Sequence, residues 1–285
     1  MHRSTSFLPV TLFCFLISSS FIPLARTDAV AEQTVRINGS GTGLEMMKPL
    51  IEAYVKSHPG VKFEMEKPLG SSGAIKAVIA GVLDIAVTSK PLTKEEEARG
   101  AVISIFGRTP LAIVAGRNVP ENNVSTADLE NMYSGVTRRW TNGENIRVVL
   151  RPQTDIDTVI LSGLSPGMAK AIVRARSQQG MFMAVTDPES NEAVLKIGGS
   201  IGASGLTGIM AGKLPLRILS LNGVMPATEA LADGRYPLSK DLNFVTRGRL
   251  TQAAADFLDF TYSKKGRAIV GKVGVLVTAG RKAYK

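Results

Sequence analysis

Cysteine is almost absent from this chain of 285 residues, which contains a single copy at position 14. Cys14 lies within an apolar N-terminal segment, so the chain beyond that segment has no cysteine. Such a chain forms no disulfide, holds no metal through thiolates and has no cysteine nucleophile. Its length still permits a large core without covalent cross-links.

Histidine is also scarce, with His58 as the only copy after the N-terminal segment. A serine nucleophile needs a base within hydrogen-bond reach, and metal-dependent hydrolysis needs a cluster of His, Asp or Glu ligands. The sequence contains no Ser-x-x-Lys motif. We therefore predict no enzyme, no catalytic residue, no metal site and no cofactor, and a phosphate-ester hydrolase stays a minor alternative.

Long basic runs are missing although the formal net charge is +10. The Lys/Arg blocks are no longer than two residues, as in Arg138-Arg139 and Lys264-Lys265. A dispersed positive charge favours long-range attraction of small anions over a nucleic-acid-binding arm. We predict no nucleic-acid partner, and adhesion to polyanions remains an alternative.

The N-terminus has the pattern of an export signal. Basic residues His2-Arg3 precede an apolar run from Phe7 to Leu24, and Ala29-Val30-Ala31 matches the small-residue cleavage pattern. We predict a signal peptide over residues 1–31, removal of that segment, and a periplasmic protein that is not membrane-embedded after processing.

Strand and helix patterns alternate along the rest of the chain. Residues 34–37, 61–65 and 83–87 have strand patterns, and residues 44–57 and 74–80 between them have helical spacing. This alternation predicts an α/β fold with mostly parallel sheets covered by helices. Because no linker or repeat divides the chain, two lobes joined by crossing strands fit better than separate domains. Residues 32–112 and 222–285 are predicted to form lobe I, and residues 113–221 lobe II.

Three Gly/Ser/Thr-rich turns follow predicted strands, at Gly39–Gly43, Gly70–Gly73 and Thr88-Ser89. Backbone N–H groups at such turns, with the dipole of a following helix, bind anions. Arg151 follows another predicted strand and offers a charge-assisted pair to an oxyanion. The first turn lacks the spacing of a dinucleotide fingerprint, and no Gly-Lys-Ser/Thr of a P-loop follows it. Strand ends of this kind share one sheet edge, which predicts an anion site there.

Several motifs in order resemble those of one transport family. They are the Gly39–Gly43 turn, Gly70-Ser71-Ser72-Gly73, Asp84 to Leu92, Met132 to Trp140, Arg151, Asn222 to Thr228 and Tyr236-Pro237-Leu238. Over the whole chain after the signal, the sequence resembles the phosphate-binding proteins of bacterial ABC importers, within the type II periplasmic binding-protein fold.

This resemblance implies an exported monomer that captures phosphate, or a similar oxyanion, between two lobes. Each lobe would contain a mixed, mostly parallel sheet flanked by helices, and the closed protein would be read by the ABC permease subunits. By the resemblance and the pattern together, the predicted ligand-binding residues are Ser40, Thr42, Gly43, Ser71, Ser72, Ser89, Arg151, Asp155, Asp157 and Thr158.

Two departures from the family bear on the ligand. Ser89 stands where the family often has an aspartate that accepts the ligand's proton. Asp155-Ile156-Asp157 stands where the family typically has Ser-Gly-Thr at the start of a helix. These carboxylates repel a dianion, cap the helix toward solvent, accept a ligand proton or neutralise Arg151. The same fold with a different small polar ligand is therefore an alternative function.

Overall fold

The computed structural model describes residues 1–2, 33–178 and 181–278. The predicted signal peptide falls, apart from its first two residues, outside the described residues. Within the described parts, none of the helices combines the length and apolar character required to cross a bilayer.

Strands and helices alternate through the described residues, as the sequence pattern predicts. The strands are β1 (Gln33–Gly39), β2 (Val61–Glu64), β3 (Ile85–Thr88), β4 (Ala101–Ala115), β5 (Asn123–Val124), β6 (Arg147–Leu150), β7 (Phe182–Met183), β8 (Ser200–Gly205), β9 (Arg217–Leu221), β10 (Ser239–Arg247) and β11 (Leu276–Val277). The helices are α1 (Gly41–Val55), α2 (Gly70–Ile79), α3 (Lys94–Ala98), α4 (Thr126–Tyr133), α5 (Ile156–Ser162), α6 (Pro166–Ala175), α7 (Asp187–Lys196), α8 (Leu206–Ala211), α9 (Thr228–Ala232), α10 (Gln252–Tyr262) and α11 (Lys264–Gly271).

The sheet is mixed, with parallel strands at both ends of its order. The strand order is β2-β1-β3-β10-β4-β8-β6-β7, with β5, β9 and β11 paired off this path. Strands β2, β1 and β3 are parallel to one another, as are β8, β6 and β7. Strands β10 and β4 run antiparallel to their neighbours in the middle. The carboxyl ends of β1 and β3 therefore lie together at one edge, which places the first and third predicted turns side by side.

Strand β4 connects the two groups of strands. Residues 101–110 of β4 pair with β10, whereas residues 111–115 pair with β8 and β9. One hydrophobic cluster surrounds Ile37, Met46 and Phe257 on the first side, and another surrounds Leu129, Trp140 and Leu219 on the second. Hydrophobic clusters on both sides of a continuous strand are consistent with a two-lobed fold.

The chain returns from the second group of strands to the first at β10, which begins at Ser239. This is later than the predicted end of lobe II at residue 221. Ala230, Tyr236 and Leu238, which we assigned to lobe I, pack in the same cluster as Trp140 and Leu219. Tyr236 also donates from its hydroxyl to the carbonyl of Leu111. The division of the chain at residues 112 and 221 stays a prediction, and this packing favours placing residues 222–238 with lobe II.

Helix α2 begins earlier than the sequence pattern predicts. The pattern places a turn at Gly70–Gly73 and the helix over residues 74–80, but the structure starts α2 at Gly70. Gly70 has φ of +71°, a left-handed conformation that glycine adopts without the steric cost of a side chain. The two serines of this motif consequently lie in the first helical turn and not in a loop.

Candidate functional site

A polar cavity of about 190 Å³ lies where several helix N-termini meet the edge of the sheet. Its lining comes from the starts of α1, α2, α5 and α7, the loops after β3 and β6, the residues before α2 and α7, and β10. The lining residues are Ser40, Gly41, Pro68, Leu69, Gly70, Ser71, Ser72, Lys90, Arg151, Pro152, Thr154, Asp155, Ile156, Val185, Thr186, Asp187 and Lys240.

Helix α1 begins beside this cavity with Ser40 as its N-cap. The Ser40 hydroxyl accepts a hydrogen bond from the N–H of Gly43, so a first-turn donor is already satisfied. The N–H and the hydroxyl of Thr42 both donate to Oδ2 of Asp187, at 2.8 and 3.0 Å. The N–H groups of Thr42 and Gly43 at this helix start are thus used by the protein's own side chains.

The start of α2 is the helix N-terminus at the cavity that lacks such a cap. No side chain accepts a hydrogen bond there at the N-cap position, Leu69. The loop before it is fixed by Asn38, whose Oδ1 accepts from the N–H of Leu69. The first-turn N–H groups of a helix have no intrahelical partner, so this end provides donors beside the hydroxyls of Ser71 and Ser72.

Ser89 lies behind the cavity and not in its lining. Its N–H donates to Oγ of Ser71 at 3.0 Å, and its hydroxyl lies 3.4 Å from that of Ser40. Ser89 is almost fully buried. Its described contacts therefore hold the starts of α1 and α2 together.

Arg151 follows β6 and reaches the cavity with most of its donors already paired. Its Nε and one terminal nitrogen donate to the two carboxylate oxygens of Asp155, at 3.3 and 2.7 Å. The same terminal nitrogen donates to Oδ1 of Asp187 at 3.1 Å, and the other donates to the carbonyl of Ala184. Within the described residues, four of its five N–H groups have partners. Burial opposes its charge, but Asp187 and Asp155 hold the pKa of the guanidinium above its usual value.

Asp155 is the N-cap of α5, as one of the sequence alternatives proposed. Its Oδ1 accepts from the N–H of Asp157 while the same carboxylate pairs with Arg151. It faces the cavity, so it neutralises the arginine and does not point away into solvent. Thr158, one turn later, donates from its hydroxyl to the carbonyl of Arg151 and orders this loop.

Asp157 lies deeper, against Lys240 of β10. Its Oδ1 is 2.8 Å from Nζ of Lys240, although the orientation of the two groups does not make a hydrogen bond. Because Coulomb attraction depends on the distance between charges, Asp157 and Lys240 form an ion pair. Burial raises the pKa of Asp157 to about 6, against the opposing effect of Lys240.

Asp187, at the start of α7, forms ion pairs with both Arg151 and Lys240. Lys240 Nζ lies 3.2 Å from its Oδ2, beside the contacts with Arg151 and Thr42. Burial opposes its ionisation, but Lys240, Arg151 and Thr42 hold the pKa of this carboxyl far below its usual value. Asp187 and Lys240 thus connect the start of α1, the loop after β6 and the middle of the sheet.

The structure brings all the predicted site residues into one region but gives them different places. Ser40, Ser71, Ser72, Arg151 and Asp155 line the cavity. The other predicted residues are not among the lining residues and support it from behind: they are Thr42, Gly43, Ser89, Asp157 and Thr158. Their assignment as ligand contacts stays a prediction.

Sequence reasoning missed Asp187, Lys240, Lys90 and Thr186, which also line the cavity. No Gly-rich turn marks Asp187 or Lys240, and Lys240 lies inside a strand. The one available signal for Asp187 was Thr186-Asp187-Pro188, a cap followed by an acidic first turn and an early proline. That signal predicts a helix start, which the structure has, but not its position beside Arg151.

Comparison with known proteins agrees with this architecture. A curated relative, the phosphate-binding protein PstS of Borreliella burgdorferi, is 25% identical over 94% of this chain and 98% of its own length. A solved substrate-binding protein assigned to a phosphate ABC transporter of Clostridium perfringens has a TM-score of 0.73, with 21% identity over 87% of this chain and all of its own. An ABC-type phosphate transport receptor of Vibrio cholerae has a TM-score of 0.60, with 19% identity over 86% of this chain and all of its own.

At these identities the solved structures establish the fold, and the predicted α/β architecture of a type II periplasmic binding protein is confirmed. The sequence pattern of the PBP superfamily domain matches residues 25–265. That match covers well over half of the chain, and the protein therefore belongs to the PBP superfamily.

Proposed function

We propose that this protein is the solute-binding component of an ABC importer and captures phosphate, or a closely related oxyanion, in the polar cavity. The relatives named above are phosphate-binding proteins or phosphate transport receptors, and one of them matches nearly its whole length. We further propose that the protein works in the periplasm, which the export signal predicted at residues 1–31 supports. By the family resemblance, its partners are the permease subunits of the importer and its working form is a monomer.

The uncapped start of α2 is the observation that carries this proposal. Its free first-turn N–H groups and the hydroxyls of Ser71 and Ser72 border the same cavity. Lys90 lines it too, with its ammonium paired with Glu96. Amides at a helix N-terminus favour an oxyanion, and hydroxyls add donors without adding charge. A cavity of about 190 Å³ lies below the roughly 300–1,000 Å³ of pockets that hold drug-sized ligands, so it suits a small ion.

The carboxylates of the site favour one alternative, a different small polar ligand in the same cavity. Asp155 and Asp187 border the cavity and Asp157 lies behind it, so three carboxylates face the two cations Arg151 and Lys240. A ligand that donates hydrogen bonds meets less repulsion there than a fully ionised dianion does. This alternative predicts that a small zwitterion or polyol binds more tightly than phosphate.

We propose no catalysis at this site. Among the described residues that line the cavity there is no histidine, and His58 stacks on Tyr54 with ring centres 3.9 Å apart. The hydroxyls at the cavity therefore have no imidazole base beside them to generate a nucleophile.

Calorimetric titration of the purified protein with phosphate, arsenate, sulfate, glycine and glycerol tests the proposal. We expect saturable phosphate binding with a Kd of about 1 μM or tighter, equivalent to about −8 kcal/mol. The Arg151→Ala variant should lose this binding, since its loss leaves Asp155 and Asp187 uncompensated beside the ligand. The exposed Arg235→Ala variant is the matched control and should bind as the wild type does.

Two outcomes of this titration count against the proposal. Saturable binding of glycine or glycerol without phosphate binding supports the alternative ligand class. No small-ligand binding, together with salt-sensitive binding to heparin, supports polyanion adhesion instead.

A further inference from the structure

We propose that Asp187 is an internal anionic ligand, which occupies part of the anion-binding donor set of the cavity and so determines which external anions bind. This inference rests on the proposed function only in taking an oxyanion as the external ligand. It assigns a specificity-determining role to Asp187, which was not among the site residues predicted from the sequence.

The partners of Asp187 are the groups that bind an oxyanion in proteins. Its Oδ2 accepts from the N–H and hydroxyl of Thr42 at the start of α1, and its Oδ1 accepts from Arg151. Lys240 approaches both oxygens, at 3.2 and 3.4 Å. A helix N-terminal amide, a hydroxyl, a guanidinium and an ammonium together form a receptor for one carboxylate or phosphate group.

The backbone is shaped to bring Asp187 into this receptor. A Cβ added at Gly41 would lie 2.7 Å from Cβ of Asp187 and 2.8 Å from Cδ of Pro188. Only glycine at position 41 therefore allows the starts of α1 and α7 to approach this closely. The Thr42–Asp187 contact joins residues 145 positions apart, so it is a tertiary arrangement and not a local cap.

The occupied receptor leaves a restricted site for an external ligand. The N–H and hydroxyl of Thr42 at the start of α1 are taken by Asp187, and Nε and a terminal N–H of Arg151 are taken by Asp155. Open donors remain on the opposite wall, at the start of α2 with Ser71 and Ser72, whereas the ammonium of Lys90 beside them is paired with Glu96. An oxyanion on that wall faces the carboxylates of Asp155 and Asp187, so each of them opposes its binding.

A purely structural role for Asp187 makes a different prediction. If the carboxylate served only to join α7 to α1, its removal would weaken the fold, and added anions would stabilise the variant no more than the wild type. If the groups around it form a true anion receptor, a free anion should replace the missing carboxylate. Rescue by an external anion therefore separates the two roles.

The first test is the thermal stability of the Asp187→Ala variant in sodium acetate or formate against sodium chloride at equal ionic strength. We expect a lower Tm than wild type in chloride and an increase in acetate or formate that the wild type does not show. The Glu192→Ala variant, which removes an exposed carboxylate from the same helix, should show no such rescue. Equal anion responses in wild type and Asp187→Ala would overturn the proposal.

The second test uses the isosteric Asp187→Asn variant and remains informative if Asp187→Ala does not fold. Calorimetry should show phosphate binding at least about tenfold tighter than in the wild type, because a competing negative charge is removed while the volume is kept. Unchanged or weaker phosphate binding by a folded Asp187→Asn protein would overturn the proposal.

The outcomes also separate this inference from the proposed function. If the wild type binds phosphate but Asp187→Asn binds it no more tightly, the inference fails and the function stands. If the wild type does not bind phosphate but Asp187→Asn does, the phosphate function fails and the role of Asp187 as an internal competitor stands.

Discussion

Oδ1 of Asp157 lies 2.8 Å from Nζ of Lys240, and both side chains are almost completely buried. Asp157 belongs to α5 and Lys240 to β10, so this ion pair fixes the helix that follows Arg151 to the middle of the sheet. Removal of either partner leaves a buried charge with reduced compensation, which is far more costly than the loss of a surface pair.

The Lys240→Met variant should be strongly destabilised, because Asp157 and Asp187 lose a common cation in a buried environment. We expect a loss of about 3–5 kcal/mol in the free energy of unfolding, measured by urea denaturation. Lys48→Met removes a partly exposed partner of Glu45 and should change the same quantity by less than about 1 kcal/mol. A Lys240→Met protein as stable as the Lys48→Met control would show that the buried network contributes no net stability.

The pH dependence of stability should carry a contribution from Asp157 that decreases as the pH rises. Its pKa is raised by burial from 3.8 to about 6, so the folded protein holds this proton more tightly than the unfolded chain. Asp157 therefore stabilises the fold most below about pH 4, and that contribution is lost between about pH 4 and 6.

The measurement is the free energy of unfolding of wild type minus that of Asp157→Asn, from pH 4 to pH 7.5. The difference should fall by up to about 3 kcal/mol over this range, because each unit by which folding raises the pKa corresponds to about 1.4 kcal/mol. A difference that stays constant with pH would show that Asp157 has an ordinary pKa.

Gly41→Ala should disrupt the approach of α7 to α1, because the added methyl group collides with Asp187 and Pro188. We expect a loss of about 1–3 kcal/mol in unfolding free energy, as for other insertions into close-packed contacts, and altered phosphate affinity. Gly271→Ala, at the end of α11 with no atom within 4 Å of the added Cβ, is the matched control and should be nearly neutral. Equal stability of the two variants would argue against tight packing at Gly41.

Ser72→Ala should weaken phosphate binding by roughly tenfold, since it removes a hydroxyl donor from the open wall of the cavity. Ser71→Ala should weaken binding and stability together, because its Oγ also accepts from the N–H of Ser89. Ser177→Ala removes an exposed hydroxyl far along the chain and serves as the calorimetric control. Full affinity in Ser72→Ala would place the ligand elsewhere in the cavity.

Much of the fold was predictable because it depends on local patterns. The strands β1, β2, β3 and β6 and the helix α1 lie where alternation and helical spacing place them. The Gly/Ser/Thr turns at residues 39–43 and 70–73 do meet at one cavity, since parallel strands share an edge. The start of α2 was predicted too late because Gly70-Ser71-Ser72-Gly73 has the composition of a turn.

The electrostatics of the site were only partly predictable. The sequence left four roles open for Asp155 and Asp157, among them capping the helix and neutralising Arg151, and Asp155 makes both of these contacts. It gave no reason to bring Asp187 beside Thr42, or Lys240 beside Asp157, because those residues are distant along the chain and lie in unremarkable local patterns.

The sequence by itself determined that this protein is a cysteine-free α/β binding protein beyond its N-terminal segment, with glycine-rich helix starts and an arginine at a strand end. Only the tertiary structure decided which carboxylates meet that arginine, and that the chain's own Asp187 occupies the start of α1. The physical reason is that secondary structure follows from the spacing of neighbouring side chains. Ion pairing depends instead on distances through space, which are set by the position of β10 between β3 and β4 and by the close contact at Gly41.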